Sequence, residues 1–140
     1  MAVFLNNKVG VKIASTDVSD HVSAVTLTRN FDELEVSAMG DFSHRFVKGL
    51  EASTVTIDFF NDESTSTSIT ALLQTNWGAT ATLVLLQDKT AAVSASNPLY
   101  SMSILVNKTT DINGKVSELS TQSVTFTVNS VTTIANTGTF

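Results

Sequence analysis

The stretch "TVTIDFF", Thr54–Phe60, decides the fold. Apolar Val55, Ile57 and Phe59 alternate with polar residues, which is the period of a β-strand that buries one face. A surface helix would instead place its apolar residues at spacings of three and four. The stretch therefore predicts a strand packed on one side against a core.

Similar strand patterns lie on both sides of this stretch. Residues 22–29, "VSAVTLTR", place Val25 and Leu27 on one face and threonines on the other. Further along, "TATLVLLQD" predicts a buried strand, and "YSMSILVNKT" and "QSVTFTVNSVTTI" predict strands joined across "DINGKVSEL". The loop "KTAAVSASNPLY" precedes this pair, because Asn97-Pro98 does not fit a central strand.

Two dipeptides predict tight turns. Asn113-Gly114 is a strong signal for a two-residue hairpin, since both residues tolerate positive φ. Near the start of the chain, "AVFLNNKVGVKIA" has two short apolar stretches around an Asn-Asn-Lys turn, which predicts another hairpin.

One helix is predicted, in "NDESTSTSITALLQTNWG". Its acidic, Ser/Thr-rich beginning suits an N-cap and the positive end of the helix dipole. Ile69, Leu72 and Leu73 form a one-sided apolar stripe, on which Trp77 is expected to be a core anchor. Gly78 is a fitting C-terminal stop.

The order of strands, one helix and more strands predicts the fold class. We expect a mainly β protein, an antiparallel β-sandwich or open barrel with one flanking α-helix, in a single domain over residues 1–140. One segment stands apart: residues 30–41, "NFDELEVSAMGD", lack steady alternation and are interpreted as a long inter-strand loop or arm.

Composition excludes several classes of protein. The chain has no cysteine, so disulfides and thiolate metal sites are excluded. Its longest apolar run, "ATLVLL", is far shorter than a membrane span. A net charge of −5 argues against wrapping nucleic acid, which requires a basic face. Charged residues are only 15% of the chain, as expected where much of the surface is used for protein contacts.

Candidate catalytic and metal sites are weak. The carboxylates of "FDELE" form too common a pattern to indicate acid–base catalysis. His21 and His44 each lie near aspartates, but neither has a known metal-ligand spacing. No nucleophile elbow, phosphate-binding loop or dinucleotide fingerprint occurs. We therefore expect no catalytic residues, no cofactor and no metal, and keep a small metal-dependent hydrolase using Asp41 and His44 as the remote alternative.

Residues 17–62 carry a longer pattern. The segment "DVSDHVSAVTLTRNFDELEVSAMGDFSHRFVKGLEASTVTIDFFND" resembles the major tail tube proteins of long-tailed, siphovirus-like bacteriophages. The resemblance departs from the family pattern at Ala38-Met39. It is carried by Asp17, Ser19, Asp20, Val25, Leu27, Arg29, Asp32, Glu33, Leu34, Glu35, Gly40, Asp41, Arg45, Gly49, Leu50, Glu51, Ile57, Phe59 and Asp62.

This resemblance implies a structural virion protein. Six subunits would form a ring by joining their sheets edge to edge, and rings would stack into a tail tube that delivers DNA without binding it specifically. The implied partners are further copies of the chain, a tape measure protein, a tail terminator and distal tail proteins. The chain would be made in the host bacterial cytoplasm and located in the virion tail. A head decoration protein, a tail terminator and a secretion-system tube protein remain alternatives.

The resemblance also suggests a role for the arm. We expect residues 30–46 to reach a neighbouring subunit or the next ring, and to become ordered there. The apolar side chains of the arm would pack against the neighbour, and its carboxylates would pair with basic residues there. The candidate residues are Arg29, Asp32, Glu33, Leu34, Glu35, Val36, Met39, Asp41, Phe42, Arg45 and Lys48.

Overall fold

The computed structural model describes residues 7–61 and 68–140. The described chain is mainly β and antiparallel with one α-helix, so the predicted sandwich-like class is confirmed. Its strands are β1 (Gly10–Ile13), β2 (Thr16–Asp17), β3 (Val22–Thr28), β4 (Phe31–Glu35), β5 (Phe46–Glu51), β6 (Thr54–Phe60), β7 (Thr80–Leu86), β8 (Leu99–Leu105), β9 (Thr121–Val128) and β10 (Thr133–Ala135), and the helix is α1 (Ile69–Thr75).

Eight described strands form the main sheet: seven follow the order β2-β1-β7-β8-β9-β6-β3, and β10 pairs with β8 off this path. Strand β8 changes its neighbour midway: Ile104 and Leu105 face β9, whereas the beginning of β8 pairs with β10. The chain crosses between the two through Asn129, whose N–H donates to the Ser103 carbonyl at 2.6 Å. Such a change of partner lets a sheet turn a corner.

The core lies on one face of this sheet. Val55, Ile57 and Phe59 are fully buried, as their alternation predicts. Val25 and Leu27 of β3 are half-buried, and they line a cleft of about 360 Å³ together with Leu85 and Tyr100 from β7 and β8. The β3 edge of the sheet therefore faces strands β7 and β8 across this cleft, which gives the sandwich-like shape.

Helix α1 covers part of the core with the predicted stripe. Ile69, Leu72 and Leu73 are buried, and the Ser68 side chain caps the helix by accepting from the Ala71 N–H at 3.3 Å. The predicted acidic segment before Ser68 falls largely on residues 62–67, outside the described residues. The first half of the predicted N-terminal hairpin, residues 1–6, also lies outside them.

Two predictions near turns are wrong. Trp77 is half-exposed rather than a core anchor, because the helix ends at Thr75 and Trp77 lies beyond the stripe. Asn113-Gly114 does not form a two-residue hairpin: β8 and β9 are joined by the long connection of residues 106–120, in which Ser117 adopts positive φ. The actual tight hairpin joins β1 and β2 through Ala14 and Ser15, which both have positive φ.

A prediction concerns Gly10, where the end of the described chain returns to β1. A Cβ built on Gly10 would lie 2.8 Å from Phe140 Cζ and 2.9 Å from Lys89 Cβ. We expect Gly10→Ala to lower the free energy of unfolding by about 1–3 kcal/mol, the usual cost of overpacking. Urea denaturation measures this. If the Phe140 ring is part of the obstacle, Phe140→Ala should recover some of the loss, and a Gly10→Ala variant as stable as the wild type would refute the close packing.

Candidate functional site

The segment interpreted as a long loop or arm is a projecting β-hairpin, in which residues 31–35 form a strand. Strands β4 and β5 pair antiparallel, with Leu34 opposite Val47 and Glu35 opposite Phe46. All residues of β4 are exposed. A strand exposed on both faces needs no apolar–polar alternation, which explains why the sequence pattern did not predict it.

The hairpin continues the main sheet. In the β3–β6 pair, Thr28 lies opposite Thr54, and the same antiparallel ribbon resumes with Phe31 opposite Glu51. Between them, the Ala52 N–H donates to the Asn30 carbonyl at 2.7 Å. The hairpin is therefore the extension of two core strands beyond the edge of the core.

Polar contacts attach the base of the hairpin to the body. Ser53 is buried, its carbonyl accepts from the Val128 N–H at 3.1 Å, and its hydroxyl donates to Glu51 Oε1 at 2.8 Å. The Thr132 N–H also donates to Glu51 Oε1, at 3.4 Å. These contacts fix the direction in which the hairpin leaves the sheet.

The tip of the hairpin is held by its own hydrogen bonds. The Val36 N–H donates to the Arg45 carbonyl at 2.8 Å, and the Arg45 N–H donates to Ser37 Oγ at 2.8 Å. Asp41 Oδ2 accepts from the Ala38 N–H at 2.8 Å and lies 3.6 Å from Arg45 Nη1. The tip thus has a defined shape, built from residues 36–45.

Apolar side chains on the hairpin are exposed to solvent. Met39 and Phe42, at the tip, are 102% and 106% exposed. Essentially no atom of the same chain covers these two side chains. Burial of each in an apolar environment would be favourable by about 1.5–3 kcal/mol. The full set of exposed large apolar residues on the hairpin is Phe31, Leu34, Val36, Met39, Phe42, Phe46, Val47 and Leu50.

Several charges of the predicted arm pair within the chain. Glu35 Oε1 lies 2.7 Å from His44 Nδ1, and Asp41 pairs with Arg45. Lys48 Nζ lies 5.6 Å from the Phe31 ring centroid, a cation–π geometry. These partners are exposed, so each pair contributes little to stability. Asp41 and Arg45, which are expected to contact a neighbouring subunit, therefore contact each other within the tip of one chain.

The remaining candidate residues lie along the same ribbon. The main-chain oxygen of Asp32 lies close to Gly49, and Glu33 is opposite Lys48. Arg29 is at the base of the hairpin, where its charge acts on Glu51. The structure therefore brings all candidate residues onto one projecting element and its base. Four further exposed apolar residues of the hairpin are not among the predicted candidates: Phe31, Phe46, Val47 and Leu50. They flank the acidic segment and could have indicated a paired strand.

The two residues of the hydrolase alternative contact different partners: Asp41 faces Arg45, and His44 faces Glu35. Within residues 7–61 and 68–140, no group of three or more His, Asp or Glu side chains is placed to hold a metal ion. In the same part of the chain, no helix has the length and apolar character needed to cross a membrane.

Comparison with known proteins gives no match to this sequence, either among protein-family models or among curated proteins.

One prediction tests whether the hairpin is a paired ribbon. A Cβ on Gly49 would lie 2.7 Å from the main-chain oxygen of Asp32, so Gly49→Val should force β4 and β5 apart. We expect amide hydrogen exchange to become faster in β4 and β5 and to stay unchanged in β6 and β9. Gly114→Val is the matched control, because a Cβ there meets no atom within 4 Å. Equal exchange in both variants would contradict the pairing.

A second prediction concerns acid. The Ser53 hydroxyl, with the Thr132 N–H and the charge of Arg29, lowers the pKa of Glu51 below its ordinary value of 4.5. A lowered folded-state pKa gives stability that is fully present above pH 4.5 and is lost as the pH falls through the folded-state pKa. The urea midpoint of the wild type should therefore fall as the pH drops below 4.5. We expect Glu51→Gln to remove this contribution to the fall, and Ser53→Ala to remove part of it. Identical acid slopes in all three proteins would refute the linkage.

Proposed function

We propose that this chain is a structural virion protein, a subunit of hexameric rings that stack into a bacteriophage tail tube through which DNA is delivered to the host. The observation that carries the proposal is the projecting hairpin with eight exposed large apolar side chains. The resemblance of residues 17–62 to tail tube proteins supplies the identity of the assembly, and the hairpin supplies a physical reason for assembly.

The exposed area on the hairpin argues for a protein partner. Its eight side chains offer an apolar area on the order of 800 Å², taking about 150–250 Å² for a large aromatic side chain. These side chains lie on both faces of the hairpin, and their total equals the about 800 Å² that a standard interface buries on each partner. A two-stranded hairpin is at best marginally stable alone, so contact with another subunit would also stabilise its fold.

The edge of the main sheet supports ring formation. Strand β3 has a neighbour on one side only among the described strands. Natural edge strands usually carry charges, proline or a β-bulge that hinder pairing with another chain. Strand β3, "VSAVTLT", has no charge or proline, and its register shift is confined to its start, between Val22 and Ala24. We propose that this edge joins a neighbouring sheet within the ring, while the hairpin contacts the next ring or an adjacent subunit.

Charge is compatible with passage of DNA. Six copies of a chain with net charge −5 give a ring of about −30, which repels a polyanion and favours transit over binding. In this proposal the partners are other copies of the chain, a tape measure protein, a tail terminator and distal tail proteins, and the location is the virion tail.

Negative-stain electron microscopy over a concentration series tests the proposal. We expect discrete six-fold rings or long hollow tubes in the wild type, and no tubes in the Gly49→Val variant with its disrupted hairpin. Trimers or closed shells would contradict the tube and favour a head decoration protein. Val131→Ser is the control, since it changes an exposed residue outside the hairpin and strand β3, and it should assemble as the wild type does.

A further inference from the structure

A second exposed apolar surface lies in the connection between β8 and β9. Ile112, Val116 and Leu119 are 93%, 92% and 78% exposed. Phe60, the last residue of β6, is also exposed, and it pairs with Thr121 at the start of β9. We call the segment of residues 107–120 the distal loop.

The distal loop is attached to the sheet by buried polar contacts. Gln122 is 4% exposed; its Oε1 accepts from the Thr110 N–H at 3.0 Å, and its Nε2 donates to Asn61 Oδ1 at 2.8 Å. Near the helix, Gln74 Nε2 donates to Asp111 Oδ1 at 2.7 Å. A loop fixed in this way presents its apolar side chains without a large loss of entropy on binding.

The two apolar surfaces lie at opposite ends of one strand. The hairpin extends from the Thr54 end of β6, where Thr54 pairs with Thr127. The distal loop adjoins the other end, where the Asn61 N–H donates to the Ser120 carbonyl at 2.9 Å. Seven residues of strand separate these ends by roughly 20 Å at about 3.3 Å per residue, and the hairpin extends away from the distal loop of its own chain.

We infer that the hairpin of one copy docks on the distal loop of a second copy. The inference rests on the proposed function, which it deepens by naming the acceptor surface. Two different surfaces at opposite ends of a subunit make a heterologous, head-to-tail contact, which leaves one free surface at each end of a pair and adds further copies as a filament unless the rotation closes a ring. A contact between two identical hairpins would instead close at a dimer.

Charge supports a second copy as the occupant. From Phe31 to Glu51 the hairpin has five carboxylates and two cations, Arg45 and Lys48. The distal loop has two cations and two carboxylates; Lys115 pairs with Glu118 at 3.3 Å, whereas Lys108 is exposed and has no ion-pair partner among the described residues. The acidic excess of the hairpin would therefore repel a second hairpin, whereas the distal loop carries no net charge and has an exposed cation, Lys108, with which a hairpin carboxylate can pair.

Site-directed cross-linking tests the contact, because the chain has no cysteine of its own. Phe42→Cys protein is mixed with Val116→Cys protein and treated with a short thiol-to-thiol cross-linker, at a concentration at which the wild type is assembled. We expect a heterodimer in excess over either homodimer. Adding Ile112→Ser to the Val116→Cys partner should reduce the heterodimer, because loss of one such apolar side chain weakens association by about 10–100-fold. Val131→Cys is the matched control, since Val131 is exposed and apolar but lies on neither surface.

The outcomes separate this inference from the proposed function. Homodimers of the Phe42→Cys protein alone, no product at all, or as much product with the Val131→Cys control would overturn the inference. Hollow tubes without the heterodimer would overturn it and leave the tube proposal in place. The heterodimer in filaments that have no lumen would uphold the contact and contradict the tube.

Discussion

A variant with both Met39→Ser and Phe42→Ser should stay folded and lose self-association by at least about a hundredfold. The two side chains contribute nothing to the core, because they are fully exposed at the tip of the hairpin. In an interface, burial of each would be favourable by about 1.5–3 kcal/mol, so their joint loss corresponds to about 3–6 kcal/mol per contact. Sedimentation velocity over a concentration series measures the association, and urea denaturation measures the fold.

The control for this variant is Val131→Ser, which removes a 71% exposed apolar side chain from another part of the surface. It should assemble normally. Surface substitutions of this kind usually change stability by less than about 0.5 kcal/mol, so both proteins should have the urea midpoint of the wild type. Undiminished assembly of the double variant would show that the tip of the hairpin is not an interface.

The largest effect on stability is expected from Phe126→Ala. Phe126 is completely buried in β9 and lies opposite Val55 of β6, in the middle of the core. Loss of a buried phenylalanine ring removes its transfer free energy and leaves a cavity, which together cost about 3–5 kcal/mol. That is a large part of the about 5–15 kcal/mol by which a domain is stable, so we expect a strong fall in the urea midpoint.

Phe42→Ala is the matched control for this change, since it removes the same ring from an exposed position. It should leave the free energy of unfolding nearly unchanged. If both substitutions destabilised the protein equally, Phe42 would have to be covered within the subunit, and the argument for the hairpin as an interface would be lost.

Burial explains which elements could be predicted from the sequence. Strand β6 was predicted with its bounds because Val55, Ile57 and Phe59 meet a core on one side and solvent on the other. The helix was predicted from Ile69, Leu72 and Leu73 for the same reason. In these elements one face meets the core and the other meets solvent, so apolar and polar residues recur with the period of the strand or helix.

The hairpin and the turns lack that contrast. Acidic residues are unusual in strands, and β4, "FDELE", has no buried face within the subunit that would separate its apolar from its polar positions. The turn at Ala14 and Ser15 has no asparagine or glycine, although both residues adopt positive φ. The sequence places the candidate residues in one segment. Their arrangement, however, depends on the pairing of β4 with β5, which the order of residues in β4 does not predict.

The continuity of the hairpin with β3 and β6 has a mechanical consequence. A pull on the tip would be transmitted along β6, whose hydrogen bonds to β9 run across the direction of the force over seven residue pairs, from Thr54 with Thr127 to Phe60 with Thr121. When the force runs along the strands, the hydrogen bonds are loaded in shear, share the force and must break together. When the force separates two strands from one end, the hydrogen bonds break one after another. The element most exposed to a neighbour is therefore also anchored against a pull by a seven-pair ladder, whose length only that of β7 with β8 equals among the described strands.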